Sequence, residues 1–191
     1  MKRAASLAIV GCLIFVGTFS AAAEESPPTE VIRHISPDKK FAMRILCHSA
    51  PEDPENIDAD SVKAVDLVSL PGKEVVGSLP FGGYDGFKLV WARDSKWCAF
   101  YSMSGTRSGE TSVHRLQGDK FVSLDAAEMS VDVKGDVRNQ YVEPVRWLKP
   151  GTLVLKQFTI FRGGNSSSTI EFTVRFDESG KFRVISKRNK G

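Results

Sequence analysis

The sequence predicts an all-β fold, a stack of about three four-stranded antiparallel units. Three observations carry that prediction. The first is a repeat at a fixed interval: Ile35-Ser-Pro-Asp-Lys-Lys-Phe41-Ala-Met43, Trp91-Ala-Arg-Asp-Ser-Lys-Trp97-Cys-Ala99 and Trp147-Leu-Lys-Pro-Gly-Thr-Leu153-Val-Leu155 align without gaps, 56 residues apart both times. In each, a large apolar residue closes one extended run, a polar turn follows, and a second apolar run begins. Periods of this size mark stacked supersecondary units. The second is a succession of β-branched and aromatic runs broken by short Pro, Gly and Asp turns. The third is alternation. Ile170, Phe172, Val174 and Phe176 share one face of a strand, and Glu171, Thr173 and Arg175 share the other.

Each unit reads as four strands. Unit one has Val31–Ile35, Phe41–Cys47, Val62–Leu70 and Glu74–Leu79, the last two joined by Pro71-Gly72, a tight-turn pair. Unit two has Phe87–Trp91, Trp97–Met103, Thr111–Leu116 and Lys120–Leu124, with Gly118-Asp119 at its last turn. Unit three has Val142–Trp147, Leu153–Phe161, Thr169–Phe176 and Lys181–Ser186, turning at Ser179-Gly180. One stretch breaks the pattern. Asp125-Ala-Ala-Glu128 has the form of an N-cap with Glu at the third helical position, which predicts a short helix from Ala126 to about Val133 covering apolar surface.

The chain begins with Lys2-Arg3, an apolar stretch Ala4–Phe19, and small residues Ala21-Ala22-Ala23 before Glu24. This is the pattern of a cleaved secretory signal over residues 1–23. A membrane anchor is the competing reading, but the stretch is short of the roughly 20 residues of a span. Lipidation at Cys12 is disfavoured by the apolar run that follows it. Residues 24–30 then read as a flexible leader, 31–186 as one domain, and 187–191 as a solvated basic tail. Without residues 1–23 the balance is 24 basic against 23 acidic residues, a net charge of +1. That total predicts no strong attraction for nucleic acid or, after signal cleavage, for membrane. Cys47 and Cys98 sit at offsets from the repeat that differ by five. They should face opposite sides of their sheets and lie about 16 Å apart along the strand, beyond the roughly 7 Å reach of a disulfide. Both are expected free and buried.

The turns Ser36-Pro-Asp-Lys-Lys-Phe41 and Trp91-Ala-Arg-Asp-Ser-Lys-Trp97 resemble the S-P-D-G-K turn of TolB-like β-propeller repeats, and Trp147-Leu-Lys-Pro-Gly-Thr-Leu153 is similar to a degenerate third copy. In that family the turn links the first two strands of a four-stranded blade. The resemblance covers residues 31–186 in outline and about nine residues per unit in detail. Lys39 and Ser95 stand where the family has Gly, and Pro150 where it has Asp. The resemblance implies a β-propeller-like stack. Three units fall short of the usual four to eight blades of a closed ring. They can form an open arc with covered edges, pair with a second chain as a six-unit ring, or close as a sandwich or irregular barrel. The monomeric open stack is the expectation.

Motifs for chemistry are sparse. No H-E-x-x-H, C-x-x-C or G-x-S-x-G occurs. Ser36-Pro-Asp-Lys39 matches S-x-x-K in form but sits in a predicted β-turn without companion motifs. No cofactor is expected. Asp53, Glu55, Asp58 and Asp60 crowd the loop after the second strand of unit one, where hard oxygen ligands so close together suit calcium. An ordinary solvated loop explains them as well. The matching loops of units two and three carry Arg107, Arg162 and Asn165 among small polar residues, a composition suited to receiving a partner or an anionic ligand. Asn165-Ser-Ser167 is also a glycosylation sequon, meaningful only in a eukaryotic host. The leading expectation is an exported, non-enzymatic binding or scaffold protein for a protein or envelope component. The alternatives are a small hydrolase using dispersed acids, and a calcium or ligand sensor working through residues 52–60.

Overall fold

The computed structural model describes residues 28–84, 86–124, 129–163 and 166–190. Twelve strands form in chain order. Unit one holds β1 (Thr29–Arg33), β2 (Phe41–Cys47), β3 (Val62–Ser69) and β4 (Val75–Ser78). Unit two holds β5 (Lys88–Trp91), β6 (Trp97–Gly105), β7 (Ser108–Gln117) and β8 (Lys120–Ser123). Unit three holds β9 (Val137–Lys149), β10 (Thr152–Phe161), β11 (Ser167–Phe176) and β12 (Phe182–Asn189). Within every unit successive strands pair antiparallel, so the fold is all-β and propeller-like, with an open strand order in each sheet. Units two and three differ from expectation in one respect. They merge into a single eight-stranded mixed sheet through a two-residue parallel pairing, Ser108 with Gln140 and Gly109 with Tyr141.

The 56-residue repeat is written into the backbone. Lys39, Ser95 and Gly151 occupy the same turn position and all adopt left-handed φ angles of 62°, 57° and 68°. The Asp38 and Asp94 carboxylates accept the N–H groups of Lys40 and Lys96, both at 3.1 Å. The repeat also stitches neighbours together. The Trp91 indole N–H donates to the His34 carbonyl at 2.5 Å, and the Trp147 indole to the Val90 carbonyl at 3.0 Å. Each indole thus bonds the residue just before its own counterpart in the preceding unit. The Asp38 N–H adds a bond to the buried Ser95 hydroxyl at 3.0 Å. These contacts align the strand-turn ends of all three units.

Two cores fill the spaces between units. Met43, Ile45 and Leu67 of unit one pack against Leu89, Phe100 and Phe121 of unit two. Ala99 and Val113, on the other side of unit two, pack against Leu153, Leu155, Phe172 and Val174 of unit three. Period-two alternation explains the arrangement, since Cys98 and Phe100 face one neighbour and Ala99 the other. It also explains the cysteines. Cys47 and Cys98 are free and buried, and they share the first core because opposite faces of adjacent units meet there.

The helix expected from Ala126 to Val133 is absent where it can be seen. Residues 125–128 lie outside the described residues, and 129–133 form irregular chain. Met129 and Val131 are nonetheless buried in the second core. Gln157, fully buried, holds Val131 there: its amide accepts from the Val131 N–H at 2.8 Å and donates to the Val131 carbonyl at 2.9 Å. The side chain supplies the pair of bonds that a helix or strand neighbour would have given, so helix formation brings no gain. At the chain ends, β1 takes in Thr29 and Glu30 of the expected leader, and β12 takes in Lys187–Asn189 of the expected tail.

Candidate partner-binding face

The connections after the second strand of units two and three lie side by side in the eight-stranded sheet, at the end opposite the repeated turns. In unit two this connection is a tight hairpin, because β6 and β7 run on to Gly105 and Ser108. The start of β9 fixes it. The Gln140 N–H donates to the Arg107 carbonyl at 3.0 Å, and the Tyr141 hydroxyl to the Thr106 carbonyl at 3.0 Å. Asn139, buried at 6 %, donates to Tyr141 Oη at 2.8 Å. On the other side of β9, the Arg162 N–H donates to the Asp136 carbonyl at 2.8 Å. Both arginine-bearing connections are therefore tethered to one strand start, about 10 Å apart across two strand spacings.

The side chains differ in how free they are. Arg107 is exposed, and no ion pair forms at it among the described residues. Arg162 reaches Asp136 at 3.7 Å, with the two side chains 63 % and 73 % exposed, a pair that contributes little. A third arginine, Arg138, projects from the same strand start and donates from Nε to Asn139 Oδ1 at 2.9 Å. Sequence reasoning did not single it out, because one Arg inside a strand carries no local signature. Asn165 lies outside the described residues.

The acidic loop of unit one stands apart from this arginine group. It forms an open hollow of about 540 Å³ lined by Ser49, Glu52, Asp53, Asn56, Asp58 and Ser61 among others. Its carboxylates serve their own turns: Asp53 accepts the Glu55 N–H at 2.9 Å and Asp58 the Asp60 N–H at 3.0 Å. Among the described residues no three His, Cys, Asp or Glu side chains come together as a metal site.

One pair has the distance of a nucleophile and its base. Ser112 Oγ lies 3.0 Å from His114 Nε2. His114 is 1 % exposed and faces the first core beside Cys98, its register partner. Burial pulls its pKa down to about 4, so the imidazole is neutral at pH 7 and a weak base. Burial likewise pushes the Cys98 thiol up. Tyr101 is pushed up to about 12 by burial, with Glu143 and Tyr141 adding to the effect.

No family model matches the sequence, and no curated protein matches it. Among solved structures, a chain from a structural and mechanistic analysis of two prolyl endopeptidases and the role of inter-domain dynamics aligns with a TM-score of 0.38 at 14 % identity. The alignment covers 82 % of this chain and 28 % of that one, so this chain spans less than a third of its neighbour's length. The comparison carries no argument about activity.

Proposed function

We propose that the chain is an exported, non-enzymatic binding protein. It offers the arginines at the start of β9 to an acidic protein or envelope component. The observation that carries this reading is the tethering of the Arg107 and Arg162 connections to one rigid strand start. Tethering removes much of the ordering cost of binding, while the guanidinium groups stay exposed. The export half of the reading rests on the signal pattern of residues 1–23. The TolB-like turns and the propeller-like stack support a platform role by analogy of fold alone.

The hydrolase alternative has one observation in its favour, the Ser112–His114 contact. His114 is closed off from solvent and burial makes it a weak base, so the binding reading is preferred. The test is capture from envelope extract on the immobilised chain from Glu24 onward, read by mass spectrometry, with an Arg107→Ala/Arg162→Ala variant beside it. One partner enriched on the parent and lost on the variant is expected. Equal capture by both would overturn the assignment of the face.

A further inference from the structure

The near-neutral total conceals a gradient along the stack. Residues 29–78 carry six cations against nine acids, residues 88–124 six against three, and residues 137–190 eleven against four. The excess in unit three has a definite location. Strand pairing sets Lys149, Thr152, Arg175 and Arg183 side by side across β9 to β12, on the face turned away from unit two. The next row along that face holds Arg146, Val154 and Thr173. Among the described residues, no ion pair forms at Arg146, Lys149, Arg175 or Arg183. The row beyond is different. There Glu143 pairs with Lys156 at 3.2 Å, and Glu171 with Arg188 and Lys190 at 3.4 Å each. The sheet thus neutralises one half of this face and leaves the other half uncompensated.

That half carries a cost which folding does not explain. Arg175 and Arg183 stand directly opposite each other, and like charges so placed are destabilising. A shallow hollow of about 320 Å³ opens beside them, lined also by Asp177, Lys181 and Phe182. The Asp177 carboxylate is engaged in its own turn, accepting from Ser179 Oγ at 2.7 Å and from the Lys181 N–H at 3.1 Å. Two exposed aliphatic residues lie beside these cations, one at a bulge of β9, inside the eight-stranded sheet, and one at a bulge of its edge strand β12. Leu148 is 55 % exposed beside Lys149, and Ile185, the bulged residue of β12, is 41 % exposed.

We infer that the outer face of unit three docks on an anionic lipid bilayer. Four unpaired cations across four strands, a width of about 15 Å, match a flat sheet of phosphate headgroups. Leu148 and Ile185 enter the headgroup boundary beside them. A soluble phosphate or sulfate polymer would satisfy the cations but gain nothing from the two aliphatic residues. The gradient turns unit three toward the negative surface and holds the acidic loop of unit one away from it. This face is distinct from the arginines at the start of β9.

The test is co-sedimentation of the chain from Glu24 onward, which contains all twelve strands, with vesicles of phosphatidylcholine with and without 30 % phosphatidylglycerol. At least tenfold tighter binding to the anionic vesicles is expected, abolished by high salt. Arg146→Glu/Arg175→Glu/Arg183→Glu should remove it, and Lys39→Glu/Lys40→Glu/Lys63→Glu on unit one should not. Arg107→Ala/Arg162→Ala should leave it unchanged, which separates this result from the fate of the partner-binding face. Leu148→Ser/Ile185→Ser should weaken vesicle binding severalfold and leave retention on a soluble polyanion column untouched. No preference for anionic vesicles, or binding that survives the triple reversal, would overturn the inference. Vesicle binding indifferent to the serine pair would overturn the bilayer in favour of a soluble polyanion.

Discussion

His114 shows how much a single buried group can weigh. Its folded pKa is about 4 against 6.5 unfolded, held down by burial. A depressed value means that protons bind the unfolded chain more readily. The stabilisation is complete above pH 6.5 and is lost as pH falls toward 4. Two and a half pKa units amount to about 3 kcal/mol, of which about 2 kcal/mol is gone by pH 5. The melting temperature should therefore drop between pH 7 and 5, and His114→Gln should flatten the drop. His34 is also shifted down, by burial and by Arg33, so the difference between variant and parent isolates His114. An equal drop in both would refute the assignment. The repeated turn offers a second comparison. Lys39 holds a left-handed φ of 62° with an exposed side chain, so Lys39→Gly should stabilise by about 0.5–1 kcal/mol. Ser95 holds φ 57° at the equivalent place, but its hydroxyl accepts the Asp38 N–H. Ser95→Gly should gain nothing, the relief of strain being offset by the lost bond between units. Urea midpoints of the two variants give the comparison, and equal gains would show that the Ser95 bond has no weight.

At the scale of elements, the strands were legible and the segment before β9 was not. Phe41, Trp97 and Leu153 mark strand starts by position in the repeat, and the structure starts β2 and β6 at the first two and β10 one residue before the third. Alternation and turn residues are local signals, and strands with one packed face obey them. The chain from Met129 to Val133 is shaped by Gln157, 26 residues away from Val131, and no window of local sequence contains that partner. The same limit applies to Arg138, whose place beside the Arg107 turn comes from pairing between β7 and β9. The dependence on Gln157 is testable. Gln157→Leu keeps the bulk but leaves the Val131 N–H and C=O buried without partners. A loss of about 2–3 kcal/mol is expected, with fast amide exchange at Val131 and its neighbours while β6 and β7 stay protected. A loss below 0.5 kcal/mol would mean that the segment is held by Met129 and Val131 packing alone.

For the whole molecule, total charge is a coarse reading of the sequence. A sum over the chain is blind to a gradient that appears only when the repeat divides the chain into units. The gradient also bears on whether the arc can close. A six-unit ring of two chains would set the outer face of unit three against that of unit one. On unit one, Arg44 bonds Asp66 at 2.7 Å and Glu30 at 3.1 Å, and Lys73 bonds Glu30 at 3.3 Å. Those hydrogen bonds hold Arg44 charged and, led by the one from Lys73, lower the Glu30 pKa despite some burial. Among the described residues, the strand acids of that face, Glu30 and Asp66, are already engaged and poorly placed to receive Arg146, Arg175 and Arg183. An unpaired cation buried at such a joint costs several kcal/mol. Ala42 and Val68, an apolar register pair on that face, are already buried and gain nothing from further cover, and covering Val75, which pairs with Val68 and is 39 % exposed, adds less than that cost. Charged outer faces on terminal units stop a stack from growing. The chain from Glu24 onward should therefore sediment as one copy at low salt. Raising salt to 0.5 M screens the repulsion between cations and leaves the desolvation cost in place, so the mass should not change. A two-copy mass that strengthens with salt would mean that repulsion alone had kept the ring open, and that the joint itself is favourable.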